Sequence, residues 1–389
     1  MRDVYIIGIG QTKYGEHWEK SLRSLVVEAG LKAIEDANIY SRDIQAIFGG
    51  NMSAGSTIYQ DNIGSLISDF SGLSYNNIPA MRIENGSASG GAAVHAGYIS
   101  VASGLYDLVL VGGVEKLTDV SMEDQAEVVS GEVDQEWELF HGGTLAALQG
   151  LMARRYMHEY DAKREEIAIL PVLSHEHGSE NPYAHFRNKI KIEDVLNSTL
   201  VAEPLTMLDM APYSDGAAAI VLASEEKVRE IKPEVKIKIS GSAISSDFML
   251  LQDRDNILNL KSVRISTEKA LKMAKLDINK IKVVEVHDSS SIMGLLILEE
   301  IGIFPRGKAG KYIMEGYGHH DSKIAINTSG GLKAKGHPMG ATGIGQIVES
   351  VIQLRNKAEK RQVPNADKAL AVNIAGTGSV SVSHILEVV

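Results

Sequence analysis

The sequence predicts an α/β protein of two similar halves, each a mostly parallel sheet with helices packed on it. Strand and helix patterns alternate regularly over residues 4–114, which is typical of parallel sheets covered by helices. The alternation begins again at residue 235. In both halves the third strand runs into Asn and a turn rich in Ser and Gly, Ile83-Glu-Asn-Gly-Ser and Ile326-Asn-Thr-Ser-Gly. Two halves of similar order indicate an internal duplication.

The first half contains four strand patterns with a helix pattern after each of the first three. The strands are Val4–Ile9, Ile44–Gly49, Ile78–Ile83 and Leu108–Val114. The helices are a segment capped by Ser21, the segment Asn62–Leu73, and a small-residue helix from Ser87 to about Ser103. The fourth strand is almost entirely apolar, as expected for a strand buried on both faces.

Residues 116–212 interrupt this order. They are richer in charge, His and Met, and their clearest pattern is the helix Leu145–Tyr160. We predict an insertion that lies on the sheet and shapes a ligand site, because rigid scaffolds carry binding loops in this way. The apolar strand Gly216–Ala223 then closes the first half, and Lys232-Pro-Glu234 is the predicted linker.

The second half repeats the arrangement of the first. The predicted strands are Val235–Ser240, Val283–Val286, Lys323–Asn327, Ala369–Ile374 and Val380–Val388. The predicted helices are Val263–Ala274, an amphipathic Ser291–Ile301 and a long Ala341–Lys357.

Composition excludes several classes of function. The 389 residues are 44% hydrophobic, enough for a large core, and the net charge of −11 argues against general nucleic-acid binding. The chain has no Cys, which excludes disulfides, thiolate metal sites and a thiol nucleophile. A strand pattern begins at once near Met1 and no apolar run approaches eighteen residues. We therefore expect no signal peptide, no transmembrane helix and a cytoplasmic location.

The first candidate site lies in residues 81–94. An apolar run leads into the turn Asn85-Gly86, and Ser87 opens a small-residue helix. Free N–H groups and the helix dipole favour negative charge at such an N-terminus, so a nucleophile placed there would have its oxyanion stabilised. The alternative is that Ser87 or Ser89 only caps the helix.

Two further turns carry a histidine. His287 directly follows the strand Val283–Val286, and His337 stands between glycines in Lys335-Gly-His-Pro-Met-Gly340. Active sites of α/β sheets lie at the carboxyl ends of strands, where such turns are found. His337 has little room there to fill a core, so it is a candidate general base. The alternative is a structural hydrogen bond within the turn.

No metal site is predicted. His175 and His177 lie two residues apart in a charged segment, and a metal site would need a third ligand that the sequence does not show. We expect this pair on a solvated face, and we expect His319 and His320 on a loop surface.

Taken together, the small-residue turns resemble those of thiolases. In chain order they are Ser87-Ala-Ser-Gly-Gly, Asp215-Gly-Ala-Ala-Ala219, His287-Asp-Ser and Ser329-Gly-Gly-Leu-Lys-Ala-Lys-Gly-His-Pro-Met-Gly-Ala-Thr-Gly343. The chain is most similar to archaeal acetyl-CoA acetyltransferases related to sterol-carrier-protein thiolases, essentially from end to end. The resemblance implies a five-layered αβαβα thiolase fold from two duplicated βαβαβαββ halves. These would be residues 1–232, with an inserted loop domain at 116–212, and residues 233–389.

The resemblance also implies a function. Thiolases transfer acyl groups between an acyl enzyme and acetyl-CoA, so we expect formation or cleavage of acetoacetyl-CoA, a reaction of lipid metabolism and the mevalonate pathway. Coenzyme A would be a substrate, with no permanently bound cofactor. The implied assembly is a homodimer or tetramer. Further implied partners are a small OB-fold protein and hydroxymethylglutaryl-CoA synthase, with no nucleic acid and no membrane.

Site residues follow from the resemblance position by position. The catalytic residues would be Ser87, His287, Ser289 and His337. The Ser87 and Ala375 N–H groups would contribute to oxyanion holes. The phosphates of coenzyme A need local positive charge in so acidic a chain, so we expect it to contact the loop domain and the turn with Gly330, Gly331, Lys333 and Lys335. This chain departs from the family in having Ser at both positions where these thiolases have catalytic Cys. A hydroxyl is far less acidic than a thiol and needs a positioned base.

Three hypotheses follow from this departure. The first is a thiolase-like acyltransferase whose activity is impaired or altered by Ser87 and Ser289, since Ser289 is a poor base for the substrate α-carbon. The second is a non-catalytic protein that binds CoA esters or serves as a scaffold in a complex. The third is a thioester hydrolase built on Ser87 and His337, against which Asn85 stands where the Gly-x-Ser-x-Gly elbow needs Gly.

Overall fold

The computed structural model describes residues 2–389. Its strands are β1 (Val4–Gln11), β2 (Ala46–Gly50), β3 (Ala80–Ile83), β4 (Leu108–Glu115), β5 (Leu200–Ala202), β6 (Leu205–Thr206), β7 (Gly216–Ser224), β8 (Ile237–Ser246), β9 (Val283–Val286), β10 (Ala325–Ile326), β11 (Lys368–Ala375) and β12 (Val380–Val388). Its helices are α1 (Leu22–Asp36), α2 (Ala54–Thr57), α3 (Ile63–Phe70), α4 (Ser89–Ala102), α5 (Met122–Ser130), α6 (Leu145–Tyr160), α7 (Arg164–Ser179), α8 (Ile192–Asn197), α9 (Glu225–Ile231), α10 (Lys261–Ala274), α11 (Ser291–Glu300), α12 (Ala309–Met314) and α13 (Met339–Leu354).

The strand order shows the duplication directly. The large sheet runs β10-β9-β11-β12-β8-β1-β7-β4-β2-β3. Each half contributes five strands, because β5 and β6 form a separate small sheet. From the outer edge to the centre, the second half reads β10-β9-β11-β12-β8 and the first half reads β3-β2-β4-β7-β1. In both halves this is the third, second, fourth, fifth and first strand in chain order. The halves meet where β1 pairs with β8, Tyr5 opposite Lys238 and Ile6 opposite Ile237. The two halves are therefore related by an approximate two-fold at this junction.

The sheet is mixed, which corrects the expectation of mostly parallel halves. The three outer strands of each half are parallel to one another. The closing strand of each half, β7 or β12, is antiparallel to the strands on both of its sides. A continuous apolar run predicts a buried strand, but it does not reveal the direction in which that strand runs.

Two helices lie between the halves. Residues of α4 and α13 share one buried cluster with residues of both half-sheets, including Val94, Val111, Ile344 and Ala371. The outer face of the first half packs on α1 and α3, and that of the second half on α10 and α11. This gives the layer order helix, sheet, helix, sheet, helix, and confirms the predicted α/β fold.

The central helices approach each other through glycine. A Cβ on Gly90 would lie 2.8 Å from the Gly340 carbonyl oxygen, and one on Gly113 would lie 2.0 Å from the same atom. A side chain at either position would push the first turn of α13 away from β4 and α4. These glycines therefore allow the Ser87 and His337 turns to meet.

Local signals account for several element boundaries. The Ser21 hydroxyl accepts the Ser24 N–H at 3.2 Å and caps α1, as predicted. Helix α11 differs from its prediction, because all of its residues are buried rather than one face only. The cause is the insertion, whose helices α6 and α7 cover the face of α11 that would otherwise meet solvent. Among residues 2–389, no helix combines the length and apolarity needed to cross a membrane.

Candidate active site

Ser87 lies just before the central helix α4. Gly86 has a φ of 56°, which turns the chain sharply after Asn85. The helix itself begins at Ser89, with Ala88 as its N-cap and no side-chain capping bond. The Ser89 hydroxyl instead accepts the Asn85 N–H at 2.8 Å. Neither serine caps α4, so the capping alternative is wrong. Ser87 lies in the turn before the helix, where its side chain faces the candidate site.

The structure brings Ser87 and His337 together. The Ser87 Oγ lies 3.3 Å from His337 Nε2, across 250 residues of sequence. The Thr342 hydroxyl donates to the Pro338 carbonyl, so it accepts from His337 Nδ1, 2.8 Å away. This assigns the ring proton to Nδ1 and leaves a lone pair on Nε2 facing Ser87. Burial lowers the pKa of His337 to about 3, so the imidazole is neutral at ordinary pH.

His287 stands edge-on to His337, with ring centroids 4.9 Å apart. The Asn373 amide nitrogen donates to His287 Nδ1 at 2.9 Å and to the Ser87 carbonyl at 3.1 Å. His287 therefore carries its proton on Nε2. Burial first, and His337 second, hold the pKa of His287 well below its usual value. The site thus contains one imidazole that can accept a proton and one that can donate a hydrogen bond.

Glu132, from the insertion, completes the group around Ser87. Its Oε1 accepts the Ser87 N–H at 2.9 Å and the Ser87 hydroxyl. Its Oε2 accepts the Gly376 N–H at 2.5 Å. Burial raises the pKa of Glu132 to about 7 even though these hydrogen bonds favour the carboxylate. The Ser87 and Gly376 N–H groups thus donate to one carboxylate, one to each of its oxygens. The second donor is Gly376 and not the expected Ala375, which precedes it.

Ser289 follows His287 in the turn after β9. It is half-buried, and its hydroxyl accepts a hydrogen bond from Gln149 Nε2 of α6 at 3.3 Å. The Asp288 side chain between the two residues accepts the Leu332 N–H at 2.7 Å and fixes the neighbouring turn. Ser289 therefore lies where the insertion meets the second half, with a donor rather than a base as its partner.

The turn predicted to bind coenzyme A is internal. Lys333 and Lys335 are both 4% exposed. Their ammonium groups donate to backbone carbonyls, Lys333 to Met210 at 2.6 Å and Lys335 to Gly345 at 2.7 Å. Burial lowers the pKa of each to about 8. A phosphate contact by either lysine would require its ammonium group to leave the carbonyl that it now satisfies.

Gly330 and Gly331 hold the same turn in place. A Cβ on Gly330 would lie 2.7 Å from the Gly178 Cα, and one on Gly331 would lie 2.4 Å from an Asp288 carboxylate oxygen. Both glycines have positive φ. In this structure their contacts are with α7 and Asp288, so they position the loop that carries His337.

The structure corrects the surface position expected for His175 and His177. These side chains are 2% and 1% exposed, and His177 Nδ1 lies 3.1 Å from the carbonyls of Ile326 and Asn327. His320, expected on a loop surface, is half-buried and stacks on His177 at 4.1 Å. Within residues 2–389, no cluster of three or more His, Cys, Asp or Glu side chains is suited to hold a metal.

Sequence reasoning missed Glu132, Asn373 and Thr342. Thr342 stands inside the motif Ser329–Gly343 that also contains His337. Its hydrogen bond to His337 depends on the conformation of that loop, which the motif alone does not give. Asn373 is the one polar residue in the predicted strand Ala369–Ile374, which is a usable signal. Glu132 stands in Val-Ser-Gly-Glu-Val, which carries no motif.

Comparison with known proteins agrees with this geometry. Family models described as "Thiolase, N-terminal domain" and "Thiolase C-terminal domain-like" match residues 4–226 and 243–388. Acetyl-CoA acetyltransferases of Methanothermobacter thermautotrophicus and Methanocaldococcus jannaschii are each 46% identical to this chain, with 99% of both chains covered. A solved structure described as "Ltp2-ChsH2(DUF35) aldolase" is 26% identical, with a TM-score of 0.85 over 99% of this chain and 98% of that one. With both halves matched and full-length relatives this similar, the chain belongs to the thiolase family.

Proposed function

We propose that this protein is a thiolase-like acyltransferase that uses acetyl-CoA or another acyl-CoA, with Ser87 as its nucleophile. The observation that carries the proposal is the 3.3 Å approach of Ser87 Oγ to the unprotonated Nε2 of His337. The hydroxyl hydrogen, which Glu132 accepts in this structure, would have to turn to His337 before acylation. A serine needs such a base, because its hydroxyl is not ionised at neutral pH. The acetyl-CoA acetyltransferases that are 46% identical to this chain supply the substrate class.

The first step is acylation of Ser87. His337 Nε2 takes the hydroxyl proton while Oγ forms a bond to the thioester carbonyl carbon. The Ser87 and Gly376 N–H groups, which already converge on one carboxylate, would donate to the developing oxyanion. The carbon–sulfur bond then breaks, and the leaving thiolate of coenzyme A takes the proton from His337. The product is an oxygen ester on Ser87 and free coenzyme A.

In the second step a carbon–carbon bond forms between the acyl carbon on Ser87 and the methyl carbon of a second acetyl-CoA, and the ester bond to Ser87 Oγ breaks. His287, which carries its proton on Nε2, would donate a hydrogen bond to the thioester oxygen of the second acetyl-CoA and favour its enolate. Ser289 would have to take the proton from the acetyl methyl group, and that proton would pass to Ser87 Oγ as it leaves the acyl group; cleavage is the reverse. A hydroxyl bonded to Gln149 is a weak base for that purpose. We therefore expect acylation to be faster than condensation.

A second candidate is a CoA-ester-binding member of a complex. The description of the similar structure "Ltp2-ChsH2(DUF35) aldolase" names two proteins, Ltp2 and ChsH2. This supports a partner protein for the present chain, such as the expected OB-fold protein, with hydroxymethylglutaryl-CoA synthase as a further expected partner. In this function the oxyanion donors and histidines would hold the thioester without a covalent step.

Intact mass spectrometry after incubation with acetyl-CoA tests these functions. Acyl transfer predicts a stable increase of one acetyl group, located on Ser87 by peptide mapping and absent from Ser87→Ala. Release of coenzyme A without a lasting mass increase, with acetate and no acetoacetyl-CoA as the other product, would indicate hydrolysis through Ser87 and His337. Binding of acetyl-CoA with neither result would indicate the binding function and refute the acyltransferase proposal.

A further inference from the structure

Glu132 occupies the place where a thioester oxygen would have to bind. Its carboxylate accepts both N–H groups of the proposed oxyanion hole and the hydroxyl of the nucleophile. A backbone N–H has one hydrogen to donate, so carboxylate and thioester oxygen cannot both be bound well. We propose that Glu132 is an internal competitor of the acyl group, and that it keeps the oxyanion hole closed until acyl-CoA displaces it. This inference rests on the proposed function.

The Glu132 residue is closely enclosed by two glycine turns. A Cβ on Gly86 would be 3.2 Å from Glu132 Cδ, and a Cβ on Gly376 would be 2.8 Å from the Glu132 carbonyl oxygen. Both glycines have positive φ, 56° and 54°. Glu132 is 7% exposed. The turn at Gly86 therefore packs on the Glu132 carboxyl group and the turn at Gly376 packs on its backbone. Glu132 is held between the two halves and is not a surface side chain.

The segment that carries Glu132 is suited to local opening. Between Glu132 and α6 the chain exposes the large side chains of Trp137 and Phe140, and it is anchored through Val133 and through Glu138, which accepts the Leu251 N–H at 2.8 Å. Exposed segments with few buried contacts open at lower free energy than sheet and core helices. Displacement of Glu132 can thus occur without disturbing β4, α4 or α13.

The charge of Glu132 makes the competition depend on pH. Its carboxylate binds the N–H groups more strongly than the neutral acid, because charge-assisted hydrogen bonds are stronger. The pKa of Glu132 is raised to about 7, chiefly by burial, with a smaller contribution from the nearby carboxylate of Glu84. Two other titratable groups lie at the site, His337 and His287. Burial lowers the pKa of His337 to about 3 and holds the pKa of His287 well below its usual value, so both stay neutral in this range. Acyl-CoA should therefore bind more tightly as the pH falls from 8 to 6.

Calorimetric titration with acetyl-CoA and with free coenzyme A separates this role from a structural one. Glu132→Ala should bind acetyl-CoA at least about tenfold more tightly than the wild type, roughly the effect of one charge-assisted hydrogen bond. Affinity for coenzyme A, which has no acyl oxygen, should be unchanged. Glu136→Ala, an exposed change in the same segment, should behave as the wild type. The pH dependence of acetyl-CoA binding should disappear in Glu132→Ala.

Acetate provides a test that does not need coenzyme A. Glu132→Ala leaves three donors without their carboxylate, so acetate should raise its unfolding temperature but not that of the wild type. Unchanged or weaker acetyl-CoA binding by a folded Glu132→Ala overturns the inference. If neither nucleotide binds any variant, the proposed function fails instead. In that case the acetate experiment alone decides whether Glu132 fills an acyl-oxygen site. If acetate does not raise the unfolding temperature of Glu132→Ala, the inference is overturned.

Discussion

Asn373→Asp should move the ring proton of His287 from Nε2 to Nδ1, while the side chain at position 373 keeps almost the same shape. Asn373 is buried, and its amide nitrogen donates to both His287 Nδ1 and the Ser87 carbonyl. A carboxylate cannot donate, so His287 would have to place its proton on Nδ1 and lose the donor on Nε2. Loss of one donor to a developing oxyanion costs about 10²–10³ in rate, or ~3 kcal/mol. Separately from this effect on rate, the unpaired Ser87 carbonyl would lower the free energy of unfolding by ~1–3 kcal/mol.

The assay has two parts. Release of coenzyme A can be followed with a thiol reagent without background, because the chain has no Cys. Nitrogen-15 NMR reports which ring nitrogen of His287 carries the proton. A purely structural defect would leave that proton on Nε2. Asn197→Asp, an exposed change on α8, is the matched control for the added charge. If Asn373→Asp turned over normally with the proton still on Nε2, the assigned role of Asn373 would be refuted.

Three further predictions concern the nucleophile, the base and the fold. Ser87→Cys combined with Ser289→Cys should raise acetoacetyl-CoA cleavage by orders of magnitude, because a thiol is more easily ionised; a double variant as slow as the parent would show that the pocket lacks another requirement. His337→Ala should abolish Ser87 acylation in the mass assay while coenzyme A affinity changes little, and unfolding with unchanged turnover per folded molecule would contradict this. Lys116→Ala should lower the free energy of unfolding by about 3–5 kcal/mol, measured by urea titration, because it leaves the fully buried Asp215 carboxylate without its cation 2.7 Å away; a loss below 1 kcal/mol would contradict this.

Residues inside motifs were predictable, because a motif fixes both the residue type and its local backbone. Ser87, His287 and His337 stand in turns that follow predicted strands, and the structure brings their turns together. The strand directions of β7 and β12 were not predictable from their apolar patterns, because burial leaves the same pattern in either direction.

Contacts that depend on long-range packing left no local signal. Glu132 reaches Ser87 only because the insertion folds back between the turns of both halves, a contact over 45 residues. Lys333 and Lys335 in a Gly-rich turn suggested an anion site. The single π-helical turn Gly331–Lys335 instead directs both ammonium groups toward carbonyls of other segments. Their burial depends on Met210 and Gly345, which no pattern in the turn itself identifies.

The close approach of α4 and α13 through Gly90 and Gly340 has an electrostatic consequence. Both helices begin at the site, so the positive ends of two dipoles, each equivalent to about +0.5 of an elementary charge, meet at one point. This positive potential comes from peptide bonds, so it neither titrates nor depends on any lysine or arginine. It is also buried, where dissolved ions screen it little. A chain with a net charge of −11 can therefore present an anion-attracting centre. The contribution of the two dipoles should be almost independent of pH and salt, so the pH dependence of binding at this centre comes from Glu132 alone.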